Sequence, residues 1–370
     1  MIRLAFRNLF QNKVRLVISV GGVALALLLI LSLDAIFTGV ERQVTAYIDS
    51  SGADIIVAQD GVRNMHMASS SLPNSVRGKV RAVPGVASVI PILYLTNNVI
   101  YGDERNLAYI IGLSEKAAMG GPWKIFSGQG QVAKDEAIID RTIAEKSGII
   151  LGDEVEILGK KFEVVGLSEG TASLVNSVAF ISTDDFEDLR GSYGKFSFLL
   201  VKVGPAESPE AVVARIQARV RDVTAQTRDE FAQQERRVIK DMSTDVVNIM
   251  NLIGFLIGLA VMALTVYTST LARRREYGML KALGARNADL YLTVLAQALL
   301  SVILGFSFGL AITLLLSLII PATGSNLTLE VSRVSLVKVG SVSLVIAALS
   351  AMLPIRQIAG LDPAMVFRGR

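Results

Sequence analysis

The stretch "VVNIMNLIGFLIGLAVMALTVYTSTLARRREYGMLKALGA" (Val246–Ala285) sets a long run without a single charge directly against three arginines, a glutamate and a spaced pair of glycines. A membrane-spanning helix needs about 20 mostly apolar residues, and Val246–Ala272 supplies them. Working outward, three more stretches meet the same need: Leu16–Leu33, Leu290–Ile320 and Val339–Ile355, the last lengthened by Leu336 and Val337. A basic stretch precedes the first, as in a signal peptide. No small-x-small cleavage site follows it, and "LDAIFTGVERQV" continues in helical fashion, so we read a retained helix.

Composition agrees with a membrane protein. Of the 370 residues 51% are hydrophobic and 19% charged, where soluble domains carry roughly 25% charge. A net charge of +4, with no basic stripe interleaved with aromatics, argues against nucleic acid. The absence of cysteine excludes disulfides, thiol catalysis and thiolate metal sites. A single histidine, His66, argues against histidine-based catalysis or zinc.

Flanking charge sets the orientation. Arg3, Arg7, Lys13 and Arg15 precede the first span without an acid. Arg273, Arg274, Arg275, Lys281 and Arg286 lie between the second and third, against Glu276 and Asp289. Arg356, Arg368 and Arg370 follow the fourth, against Asp362. Both termini and the middle loop are therefore expected in the cytoplasm of a multi-pass cell-membrane protein.

The expected fold is integral membrane α-helical, with four transmembrane helices (1+3) and a large mixed α/β extracytoplasmic domain between the first and second. In residue terms, 1–13 form an interfacial amphipathic helix, since Ile2, Ala5, Phe6, Leu9 and Phe10 recur at helical spacing opposite Arg3, Arg7, Asn8 and Gln11. A cytoplasmic extension of the first span is the alternative. The first span takes 14–38, the outside domain with two stalk helices 39–243, and the second span 244–272. Then follow a cytoplasmic loop at 273–289, a span at 290–320, a short outer loop at 321–335, a span at 336–355 and a cytoplasmic tail at 356–370.

Within the outside domain, strands are expected at Gly52–Gln59, in "PGVASVIPILYLTNNVIYGD" as two pieces broken by Pro91 and Asn97-Asn98, in "GDEVEILGKKFEVVGL" with a Gly159-Lys160 turn, and in "VAFIS" and "FSFLLVKV". Helices are expected at Pro73–Ala82, Asp140–Ser147 and Pro209–Arg219, the last capped by Ser208.

The arginine-rich border resembles the cytoplasmic loop motif of the MacB/FtsX-like permease family of ABC transporters. Its matching positions are Arg273, Glu276, Gly278, Leu280, Lys281, Ala282, Gly284 and Ala285. The ending "LPIRQIAGLDPAMVFR" resembles the family's C-terminal element at Pro354, Arg356, Asp362, Pro363 and Arg368, with Phe367 where leucine is usual. "GDEVEILGKKFEVVGL" is similar to a signature of the family's outside domain.

The resemblance implies a permease of the mechanotransmission type that pairs with a separate ATPase chain. No G-x-x-x-x-G-K-[ST] phosphate loop occurs here, so no cofactor is expected in this chain, and ATP and magnesium would sit in the partner. The cytoplasmic loop would form a coupling helix docked on that ATPase through Arg275, Glu276, Gly278, Leu280, Lys281, Leu283, Gly284 and Ala285. Arg273 to Arg275 would anchor the span end at lipid headgroups, Leu280 and Leu283 would offer an apolar ridge, and the glycines would permit close approach or a sharp helix end. Arg356, Asp362 and Pro363 mark the tail motif. The resemblance also implies a homodimer with eight spans; Gly254-x-x-x-Gly258 and Gly305-x-x-x-Gly309 could serve it or pack within one chain.

Other residues invite chemistry. Met65, His66 and Met67 are plausible haem or copper ligands, although three neighbours in one segment rarely complete a site. Asp34 could mark a polar path or simply reach the interface. Trp123 could belong to the core of the outside domain or to an interface belt. No HExxH or G-x-S-x-G occurs, so no catalytic site is expected. Two functions remain: export or extraction of a lipid-like, lipoprotein, drug or peptide substrate, with an adaptor on the outside domain, or a non-transporting regulator that moves an extracytoplasmic hydrolase or sensor.

Overall fold

Hydrocarbon offers no partner to a backbone N–H or C=O, so apolar runs of this length must satisfy those groups as helices. The computed structural model describes residues 13–115, 117–172, 177–191, 193–323 and 327–360; the amphipathic reading of residues 1–12 lies outside them. Among the described residues four helices are long and apolar enough to cross a membrane: α1 (Lys13–Ser50), α6 (Arg228–Ala272), α8 (Asn287–Ala322) and α9 (Arg333–Ala359). The chain forms two units, one of Met1–Gly39, Ser243–Thr323 and Thr328–Arg370, the other of Val40–Met242 with Gly324–Leu327. Both α1 and α6 run on without a break past the apolar stretch, so each contributes to both units.

In the spanning unit, α1 is the helix the others close on. A Cβ on Gly22 would stand 2.3 Å from Val261 Cγ1, and one on Gly254 2.7 Å from Ile30 Cγ1. A Cβ on Gly305 would stand 2.7 Å from Val23 Cγ1, and one on Gly309 3.1 Å from the Ala24 carbonyl oxygen. Both small-x-x-x-small pairs are therefore used within the chain, as close-approach sites for α1. They are not free for a second copy. Some polar groups in this unit find local partners, while the buried side chains of Ser32, Asn251 and Ser301 have none among the described residues. Gln297 Nε2 donates to Ser269 Oγ at 2.9 Å, and Asp34 meets Lys338 at 2.8 Å instead of standing alone at the interface.

The inserted domain is built on one sheet that curls into a ring. β1 (Ile55–Gln59) lies between β12 (Val223–Thr227) and β11 (Phe198–Val203), and β11 pairs with β3 (Val86–Tyr101). β3 then changes partner: residues through Ile92 pair with β11 and those from Leu93 pair with β4 (Glu104–Leu113). From β4 the ladder passes to β9 (Ser177–Ser182), β6 (Glu136–Asp140) and β8 (Lys160–Ser168). β7 (Glu154–Ile157) pairs with both β8 and β3 and closes six strands on themselves. The interior takes alternate residues from each strand, such as Ala108 and Ile110, Ala137 and Ile139, Val155 and Ile157, and Ala179 and Ile181, all fully buried. β2 (Leu72–Pro73) and β10 (Lys195–Phe196) form a separate small pair, and β5 (Ile125–Gly128) edges β8.

Three expectations change. β3 is one strand, not two, because Pro91 falls where β3 is paired along one edge only, a position a strand proline tolerates. The β7–β8 turn is Leu158-Gly159, with φ of 54° and 83°, one residue earlier than expected; both central residues need positive φ in this hairpin. An unforeseen helix, α4 (Thr183–Arg190), follows β9. The expected helices are α2 (Asn74–Arg81), α3 (Arg141–Ser147) and α5 (Pro209–Arg219), with Asp140 and Ser208 as side-chain caps of the last two.

The outer face of the sheet holds the stalk ends. Tyr47 and Ile48 of α1 and Phe231 and Ala232 of α6 share a core with Ile56, Phe198, Ile111 and Phe180. Trp123 packs half-buried against this core, its ring centroid 6.5 Å from that of Tyr47.

Two outcomes follow from this packing. Gly254→Ala should destabilise the full chain in detergent by about 1–3 kcal/mol through overpacking. Gly340→Ala, whose Cβ meets nothing within 4 Å, should be neutral or stabilise by up to ~1 kcal/mol; thermal unfolding of both variants reads the difference. The second concerns Asp185, fully buried in α4. Burial alone would raise its carboxyl, but Lys160 Nζ at 2.5 Å, Ser182 Oγ and the Asp135 N–H outweigh that and hold it below the usual range. Its contribution is full at neutral pH and is lost as pH falls through that lowered value. Asp185→Asn should therefore lower neutral-pH stability and flatten the acid limb of a melting-temperature profile.

Candidate functional site

The border motif folds as a short helix between two long ones. α6 stops at Ala272, Arg273 leaves helical geometry (φ −105°, ψ 14°), and α7 (Arg274–Ala282) begins without a side-chain cap. Its end is set by Gly284, at φ 96°. The Gly284 N–H bonds the Lys281 carbonyl at 3.1 Å and the Ala285 N–H bonds the Leu280 carbonyl at 3.0 Å. That paired pattern is the Schellman stop, which needs the left-handed residue that glycine supplies. Gly284 is thus a sharp helix end, and α8 starts three residues later.

At 3.6 residues per turn, α7 sorts the motif into two faces. Tyr277, 2% exposed, and the partly buried Leu280 and Ala285 belong to the core with Leu290 and Ile358, and Gly278 is buried beside them. Outward stand Arg275, Met279 (53% exposed) and Leu283 (79% exposed), each four residues from the last. The two leucines of the expected ridge therefore part company: Leu283 is presented and Leu280 holds the helix in place. Arg273 also departs from expectation. It is buried, with its guanidinium 3.3 Å from the exposed Glu276, and does not reach outward as Arg274 and Arg275 do. Lys281 Nζ donates to the Ala359 carbonyl at 3.3 Å, placing a cation at the C-terminal end of α9, where a helix favours one.

Arg356 is exposed on the last turn of α9; Asp362 and Pro363 lie outside the described residues. The motif match missed Met279 and Tyr277. Their helical spacing from Leu283 and Leu280 was the signal that would have found them.

His66 serves a structural contact. Its Nδ1 lies 2.6 Å from Glu235 Oε2, a carboxylate 1% exposed on α6, and its ring lies 4.5 Å from that of Tyr109. The Met65 N–H donates to the other oxygen of Glu235. Met65 is buried and Met67 exposed.

Residues 16–219 match the MacB-like periplasmic core domain, and residues 248–363 match the FtsX-like permease C-terminal domain. An ABC transporter permease of Mycobacterium tuberculosis is 21% identical over 371 residues that span all of both chains. One of Methanocaldococcus jannaschii is 25% identical over 394 residues, covering 100% of this chain and 97% of that one. A macrolide export ATP-binding/permease protein, MacB, of a Shewanella species is 22% identical over 385 residues, covering 98% of this chain and 59% of that one.

The two faces of α7 predict opposite responses. Tyr277→Ala removes a large buried ring and should cost about 3 kcal/mol of stability. Met279→Ala should stay within ~0.5 kcal/mol, as measured by unfolding of the detergent-solubilised chain.

Proposed function

The chain belongs to the MacB-like, FtsX-like family of ABC transporter permeases, and from that premise we propose that α7 is the coupling helix on which a separate ATPase chain docks. Membership makes it a membrane permease and implies an ATPase partner. One observation carries the finer reading. Met279 and Leu283 stand exposed on a helix whose opposite face is fixed by Tyr277 and Leu280. An apolar pair held rigidly outward, beside Arg275 and Glu276, suits a protein groove better than water.

The energy source lies outside this chain, because its sequence has no phosphate loop. ATP and magnesium then belong to the partner. In the proposed orientation α7 and both termini face the cytoplasm, and two copies of the chain assemble with two ATPase subunits. With both glycine pairs occupied by α1, such a dimer uses other surfaces of the spans. ATP-driven closure of the ATPases displaces α7, and the unbroken α1 and α6 carry the displacement to the inserted domain. A helix advances 1.5 Å per residue, and neither α1 nor α6 contains a proline. The work done is export or extraction of an amphipathic or lipid-like substrate from the outer leaflet or outside compartment.

ATPase activity of the co-expressed complex tests this reading. Met279→Glu and Leu283→Glu should each lower permease-dependent stimulation about tenfold or more, the effect of some 1.4 kcal/mol of lost docking. Ile150→Glu, at an exposed position of the inserted domain, serves as the charge control for stimulation. Unchanged stimulation in both α7 variants, with the complex still assembled, would remove α7 as the docking helix.

A further inference from the structure

Where α6 ends, a cavity of about 140 Å³ lies between it and the last turn of α9, lined by Thr270, Leu271, Arg274, Gln357 and Ile358. Three of the five carry hydrogen-bonding side chains, and among the described residues none of the three is taken up by a protein partner. These are the Thr270 hydroxyl, the Arg274 guanidinium and the Gln357 amide. Thr270 is only 4% exposed, and it lines the cavity with the other two. Among the described residues no carboxylate lines the cavity. Glu276, the nearest acid in sequence, is engaged by Arg273, and among the described residues Arg274 has no acidic partner. Three donors of this kind, one cationic, suit the oxygens of a phosphate. α7 starts at Arg274 without a side-chain cap, which adds the favourable end of a helix.

The surroundings decide which phosphate. The cavity lies where the uncharged stretch of α6 gives way to arginines, the level of lipid headgroups. Leu271 on its rim is exposed, as are Leu264 one to two turns back along α6 and Met352 and Leu349 along α9. A water-soluble phosphate would make no use of them, whereas acyl chains would cover them. We propose that Thr270, Arg274 and Gln357 bind the phosphate of an anionic phospholipid, with its acyl chains against Leu264 and Leu271. The site does not depend on α7 docking an ATPase, since Met279 and Leu283 belong to the other flank of that helix.

Native mass spectrometry of the full-length chain in mild detergent tests the site, with phosphatidylglycerol, phosphatidylcholine and glycerol phosphate as probes. The expected result is binding of phosphatidylglycerol in preference to phosphatidylcholine, with glycerol phosphate failing to compete. Thr270→Val and Gln357→Leu should each weaken it about fivefold, the scale of one hydrogen bond, and Thr270→Ser should retain it. Thr270→Val is nearly isosteric, so lost binding with an unchanged melting temperature is loss of the contact. Equal binding of the two lipids, or variants indistinguishable from wild type, would overturn the proposal. Displacement by glycerol phosphate would make this a free-phosphate site, and loss of ATPase capture with lipid binding intact would assign the cavity to the partner; both also overturn it.

Discussion

The spanning unit depends on how closely its helices approach α1. Lipid tails are as apolar as leucine, so the hydrophobic effect does not draw spans together, and close van der Waals contact must. Gly22, Gly254, Gly305 and Gly309 permit that contact by leaving no Cβ where Val261, Ile30, Val23 and Ala24 stand. Everything at the arginine-rich end inherits this placement. α7 is short, begins uncapped, and is positioned by a core that joins Tyr277 to the starts and ends of its longer neighbours. A helix of nine residues would not persist alone in water. Its outward face is therefore a product of the packing behind it.

The inserted domain answers a different constraint. A sheet must bury both faces here, and it does so by two devices. One face closes on itself as a six-stranded ring filled by Val, Ile and Ala together with Phe162 and Leu93. The other is covered by the ends of α1 and α6, with Tyr47 and Phe231 reaching strands from both the open sheet and the ring. Glu235, set in the otherwise apolar inward stripe of α6 after Phe231 and Ala232, is matched by His66 and the Met65 N–H. A buried carboxylate without such partners would be strongly unfavourable. The domain thus grips its helices through apolar area and polar contacts, the Glu235–His66 pair and the Tyr47 hydroxyl on the Gly120 carbonyl.

Much of this was legible in the sequence, for reasons tied to length scale. A span announces itself over some 20 residues, and capped helices such as Pro209–Arg219 carry their start signal in Ser208 and Pro209. β3 was misread because a proline is local evidence, while its tolerance depends on which edge is paired, a tertiary fact. The turn slipped by one residue because Leu158 adopts a positive φ that leucine rarely does. α4 went unseen since "TDDFEDLR" is short and polar, and only burial of Asp185 and Phe186 shows what it holds. At the border, the motif named the right segment but not its faces; Leu280 and Leu283 look alike in sequence and differ by three positions on a helix. The pairing of His66 with Glu235, 169 residues apart, had no sequence signal at all.

Because the chain contains no cysteine, single thiols on α7 can map its contacts without background. The most direct measurement is crosslinking of Leu283→Cys and Leu280→Cys to the co-expressed ATPase with a short thiol-to-amine reagent. Docking through the exposed face predicts a crosslink from position 283 and none from position 280. No crosslink from 283 in an assembled complex, or equal yields from both, would contradict the account.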